Sequence, residues 1–129
     1  MSKRLKISDS VKILSYIEDE QVFSNLYKNA ALFIYPTLYE GFGLPVLEAM
    51  AHKCLVVASN TSSIPEILPT KQFLFDPNDS NDILRVVQNS LKLSTLKKNE
   101  VINENYNRSK RYSWNKSAFG LLNIIRMYS

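Results

Sequence analysis

The sequence predicts an α/β fold: a mainly parallel sheet of about four strands flanked by helices. Three observations predict it. Residues 30–35 and 55–58 are short, continuously apolar runs, as expected of parallel strands covered on both faces. Segments with helical spacing alternate with them, which is the order that builds a parallel sheet with helical crossovers. The chain has 129 residues, 45% hydrophobic and 22% charged, which suits one domain with a modest core and excludes a disordered chain.

Taken in order, residues 1–10 read as a frayed lead-in, and residues 11–16 have the length and residue types of a strand. Asp19 can cap a helix reaching about Lys28, with Val22/Leu26 and Phe23/Tyr27 as i,i+4 pairs on its apolar side. Pro36 ends the strand at 30–35, because proline cannot donate to a ladder. Pro45 suits the first turn of the next helix, which is expected to reach about His52. Residues 59–70 read as a polar loop with one helical turn around Pro65-Glu66-Ile67, followed by a last short strand at 73–75. Ser80 can cap a helix to about Leu93, and a weaker, asparagine-rich helix is expected over 95–108. Ser113 caps a final helix on which Trp114, Ala118, Leu121, Leu122 and Ile125 form one apolar stripe, with Trp114 as its packing anchor.

Composition removes several function classes. No apolar run approaches the roughly 20 residues of a membrane span. No apolar signal core follows the basic Met1-Ser2-Lys3-Arg4-Leu5-Lys6, so a cytoplasmic location is expected and the sequons at Asn60, Asn78, Asn107 and Asn115 read as chance. A single cysteine, Cys54, rules out an internal disulfide, and a single histidine, His52, leaves no Cys/His zinc set. Cys54 reads as a small residue at a strand entrance, His52 as a helix-end residue, and Lys53 as solvated. Residues 92–129 carry eight basic and two acidic groups, against three and six in 36–91. Such a tail reads first as a solvated face; it permits peripheral attachment to an anionic membrane without requiring it. No nucleic-acid partner is expected.

The chemistry concentrates in Tyr35-Pro36-Thr37-Leu38-Tyr39-Glu40-Gly41-Phe42-Gly43-Leu44-Pro45-Val46-Leu47-Glu48. It lies just beyond the carboxyl end of a strand, where open α/β sheets bind ligands. Gly41 and Gly43 are expected to let the backbone take positive φ and approach a ligand. The following helix offers free N–H groups and the positive end of its dipole, an arrangement suited to phosphate. Glu48 falls about 6 Å along the helix axis from Leu44, where a carboxylate can accept from paired sugar hydroxyls. Taken alone, the pattern also fits Glu40 as a helix cap and Glu48 as a surface residue.

The run from Ala31 to Ala51 closely resembles the signature of the family 4 (group 1) retaining glycosyltransferases. The likeness continues through Val56-Val57-Ala58-Ser59-Asn60, Ser63-Ile64-Pro65-Glu66, Phe75-Asp76-Pro77 and Tyr112-Ser113-Trp114, covering about residues 11–127 in order. It implies the later part of the C-terminal, nucleotide-sugar-binding domain of a GT-B enzyme of two Rossmann-like domains, with residues 1–129 as a single, partial Rossmann-like domain. Glu40 matches the first glutamate of the family's E-x7-E pattern, which faces the donor sugar near its anomeric carbon and is the catalytic position. Gly41, Phe42 and Gly43 match the loop whose amides contact donor sugar and diphosphate, and Leu44 adjoins it. Glu48 matches the glutamate that holds the ribose hydroxyls, and Thr37 matches a Ser/Thr position that orients Glu40. The resemblance implies transfer from a UDP- or GDP-type nucleotide sugar to an acceptor glycan or lipid-linked sugar, with retention, without a metal or resident cofactor, in the cytoplasm or peripherally at the inner membrane face.

Three departures stand out. Lys53 and Leu55 occupy positions where the family commonly has glycine and proline, and no glycine follows Glu66. The family's diphosphate-binding Arg and Lys and its acceptor domain have no counterpart in the chain. The lost strands would lie between strand 11–16 and strand 30–35, so these must pair directly or leave exposed edges. The expectations are a repaired four-strand sheet, self-association, or a separate chain carrying the earlier half. A non-catalytic partner module is the alternative; a hydrolase using Glu40 and Glu48 as an acid/base pair is a weaker one.

Overall fold

The computed structural model describes residues 7–128. Along the chain lie α1 (Glu20–Asn29), β1 (Phe33–Tyr35), α2 (Leu44–Ala51), β2 (Val56–Ser59), α3 (Ile64–Ile67), β3 (Leu74–Phe75), α4 (Ser80–Leu91), α5 (Thr95–Ser109) and α6 (Trp114–Met127). The strands form one parallel sheet in the order β1-β2-β3, with Ile34 opposite Val57 and Ala58 opposite Leu74. β2 is buried along its whole length, so both faces of the sheet's middle are covered. The core gathers around it from Val46, Ala49 and Met50 of α2, from Ile64, Ile67 and Leu68, from Phe73 and Phe75, and from Val86 of α4 and Val101 of α5.

The caps follow side-chain chemistry. The Asp19 carboxylate accepts from the amides of Gln21 and Val22 at 2.8 and 3.0 Å, starting α1 as predicted. Ser94 and Ser113 likewise accept from the third residue of α5 and α6. At α4 the cap is Asp79, not Ser80: the Asp79 carboxylate reaches the Asn81 amide at 2.9 Å, and Ser80 is already the first helical residue.

The expected strand at 11–16 does not form. Residues 11–18 run without regular structure, and the sheet has three strands rather than about four. A strand exists through its ladder, and this segment pairs with none of the three strands. Among the described residues β1 pairs with β2 alone, so its outer edge carries no ladder.

The stripe on α6 is present but unburied. Trp114 is 81% exposed rather than an anchor, and Leu121, Leu122 and Ile125 are exposed with it. An apolar face buries only where a facing element covers it; Trp114 borders a cavity walled by Phe42, Leu44 and Leu47, and the stripe stays exposed. Truncation after Tyr112 is therefore expected to shift the melting temperature by less than the ~4 °C that about 1 kcal/mol would bring. Calorimetry on the truncated chain checks this, and loss of a cooperative transition would contradict it.

Candidate functional site

The carboxyl ends of β1 and β2 open onto two loops that hold each other. Four hydroxyls from the 59–63 loop reach the backbone of the 35–40 loop. Ser59 Oγ donates to the Tyr35 carbonyl at 3.2 Å, Thr61 Oγ1 to that of Thr37 at 3.3 Å, and Ser63 Oγ to that of Glu40 at 3.2 Å. Ser62 Oγ accepts from the Glu40 amide at 3.4 Å, and Ser62 itself takes the left-handed backbone, φ 51°. The 35–40 loop is thus tied to β2's exit by bonds spanning more than twenty residues of chain.

Of the two glycines, only Gly43 has positive φ, 90°, as the N-cap of α2. Gly41 does not, because one left-handed residue suffices to turn the chain into the helix. A Cβ on Gly43 would lie 2.8 Å from Ile64 Cδ1 and 3.1 Å from Ile67 Cδ1, whereas one on Gly41 would meet nothing within 4 Å. Pro45, second in α2, lacks a donor where none is needed.

Glu40 accepts a short hydrogen bond from the Tyr35 hydroxyl. That bond chiefly holds its carboxyl below the ordinary range, assisted by the amides of Gly41, Phe42 and Gly43. The same bond, with partial burial, pushes Tyr35 up to about 12. The loop amides expected to face a ligand phosphate thus point at the chain's own carboxylate. The Thr37 hydroxyl donates to the Tyr39 carbonyl at 2.8 Å, shaping the loop just before Glu40.

Glu48 lies one turn into α2, on the wall shared by two cavities. One, about 770 Å³, is lined by Tyr16–Glu18, Glu20, Gln21, Phe23, Ser24 and His52. The other, about 330 Å³, lies between Phe42, Leu44 and Leu47 and the α5–α6 junction, where Arg111, Tyr112, Trp114 and Lys116 face it. Phe42 meets Tyr112 edge to face, with ring centroids 5.9 Å apart. Tyr27 stands beside Glu48: burial first, and then the Glu48 carboxylate, push its hydroxyl up to about 12. His52 stacks on Tyr27 at 5.4 Å, and its Nδ1 lies 2.8 Å from the Glu48 carbonyl oxygen, as suits a helix-end residue.

The helix stops in a Schellman arrangement, with the Lys53 amide donating to Met50 and the Cys54 amide to Ala49. Lys53 occupies the left-handed position, φ 58°, where glycine would be unstrained. Its Nζ lies 4.8 Å from the centre of the Tyr106 ring on α5, while the residue stays exposed to solvent as expected. Cys54 is buried, and burial pushes its thiol up, leaving an unreactive thiol at neutral pH.

The structure therefore gathers Glu40, Gly41, Phe42, Gly43, Leu44 and Glu48 around one helix start, with Thr37 behind them. Sequence reasoning missed Tyr35, Tyr27 and the Tyr16–Gln21 segment. The signal for Tyr35 was its place as the last residue of a strand five before Glu40. Among the described residues no cluster of three His, Cys, Asp or Glu could hold a metal, and no helix is long and apolar enough to cross a membrane.

Residues 1–108 match the family model described as glycosyl transferases group 1. The chain is 33% identical over 117 residues to an O-antigen chain mannosyltransferase B of Escherichia coli, covering 91% of this chain and 30% of that protein. It is 34% identical over 103 residues to a serotype-specific mannosyltransferase WbdA, also of Escherichia coli, covering 80% and 12%. Its fold matches part of a sucrose-phosphate synthase from Thermosynechococcus elongatus with a TM-score of 0.86 and 23% identity, over 98% of this chain and 32% of that one. The chain thus spans about a third or less of the length of these relatives. With its α/β fold that of a GT-B C-terminal domain, the chain belongs to the group 1 glycosyl transferases.

Proposed function

We propose that this chain is the donor-binding part of a retaining glycosyltransferase using a UDP- or GDP-type nucleotide sugar. The observation that carries the reading is the placement of Glu40 and Glu48 at the two ends of one loop-to-helix junction, with Glu48 on a cavity wall. Glu48 would hold the ribose hydroxyls, and the cavity lined by Tyr16, Phe23 and His52 has room for the base. The start of α2 would face the diphosphate. Glu40, held as an anion at neutral pH, would face positive charge developing at the anomeric carbon as the diphosphate leaves. The names of the mannosyltransferase relatives support a role in polysaccharide synthesis. The acceptor would be a glycan or lipid-linked sugar, met without a required metal in the cytoplasm or peripherally at the inner membrane face.

Transfer would need an acceptor domain beside this one, and α6 is the surface such a partner would cover. The same exposed face favours a second reading, a non-catalytic module that only binds a partner or a second copy.

Calorimetric titration of the folded chain with UDP, GDP and their sugars tests the first reading. Saturable binding of one base series is expected. Absence of binding, with the fold intact, would leave the partner-module reading.

A further inference from the structure

The hydroxyl links from Ser59, Thr61, Ser62 and Ser63 fix the backbone of the loop that carries Glu40, but not its side chain. Glu40 is only partly buried, and a carboxylate on three rotatable bonds would otherwise sample several rotamers. The side chain that reaches its carboxylate is that of Tyr35, through the hydroxyl. Tyr35 is well placed to hold it. Its backbone is paired with Ala58 in the sheet, and its ring stacks on Phe33 with centroids 6.0 Å apart. The hydroxyl is therefore presented from a strand, while the acid it holds sits on a loop.

We propose that Tyr35 is the positioning residue for Glu40, fixing its carboxylate where the sugar moiety of a nucleoside-diphosphate sugar would meet it. The identity of that ligand rests on the donor-binding reading above; the hold of Tyr35 on Glu40 does not. The bond requires an ionised Glu40 and a protonated Tyr35. It is lost as pH falls through Glu40's lowered pKa and at the alkaline end near Tyr35's value of about 12.

The test is Tyr35→Phe, which removes one oxygen and keeps the ring, with Tyr39→Phe as control because Tyr39 is an exposed tyrosine on the same loop. Two readouts are taken. Carbon NMR follows the titration of the Glu40 side-chain carboxyl, assigned by its disappearance in Glu40→Gln. Calorimetry compares a nucleoside-diphosphate sugar with the plain nucleoside diphosphate. In Tyr35→Phe the Glu40 midpoint is expected to move up toward the ordinary carboxylate range. Affinity for the nucleotide sugar is expected to fall roughly 3- to 10-fold, the size of one hydrogen bond, while the plain nucleotide stays within about twofold. Tyr39→Phe is expected to move neither. An unmoved Glu40 midpoint, or equal losses for both ligands, would overturn the proposal. If neither protein binds any nucleotide, the donor-binding reading falls, and the Glu40 midpoint alone decides whether Tyr35 positions it.

Discussion

Gly43→Ala is expected to destabilise the fold by about 2–4 kcal/mol, combining the left-handed backbone penalty for a residue with Cβ and the strain of overpacking. Gly43 holds φ 90°, and the new methyl would lie 2.8 Å from Ile64 Cδ1 and 3.1 Å from Ile67 Cδ1. Both isoleucines are buried in the core, so neither can swing into solvent. The entry of α2 would have to shift, and Glu40 and the loop amides with it. Gly41→Ala is the matched control, expected within about 0.5 kcal/mol of the parent, because its Cβ meets nothing within 4 Å and its φ is not positive. Denaturant unfolding of the two variants measures the difference. Equal stabilities would mean that the turn into α2 does not require glycine at 43.

Glu48→Ala is expected to weaken binding of the cognate nucleoside diphosphate roughly 10- to 100-fold, the span of charge-assisted hydrogen bonds to paired hydroxyls. Stability should change little, because the Glu48 side chain is exposed and leaves no cavity when truncated. That separation is what identifies a ligand-binding role. The matching deoxyribonucleoside diphosphate should lose most of the same affinity on the parent chain and little more on Glu48→Ala. Unchanged affinity in Glu48→Ala would remove this residue from the site.

Most elements are legible in the sequence because their signals are local. Asp19 and Ser113 announce helix starts through their own side chains, and residues 55–58 are too apolar to be anything but interior. The readings that failed depend on tertiary partners, which local sequence does not show. Residues 11–16 have the composition of a strand but pair with none of the three strands. Trp114 has the look of an anchor but stays 81% exposed. The site divides in the same way. The acids and the glycine loop stand in one continuous run, so their grouping was legible. Tyr35 bonding Glu40, and the 59–63 hydroxyls binding the loop from 22 to 24 residues away, arise only once β1 and β2 lie side by side. The positive φ expected at both glycines holds at Gly43 alone, a detail of turn geometry that composition does not carry.

The most direct test of the donor-binding account is amide chemical-shift mapping of the folded chain during titration with UDP, GDP and their sugars. The account predicts saturable shifts from one base series, clustered on residues 40–48 and the Tyr16–Gln21 wall, with the 40–43 amides moving further for the nucleotide sugar than for the plain nucleotide. Shifts scattered over the surface, or confined to α6 and the α5–α6 junction, would contradict it.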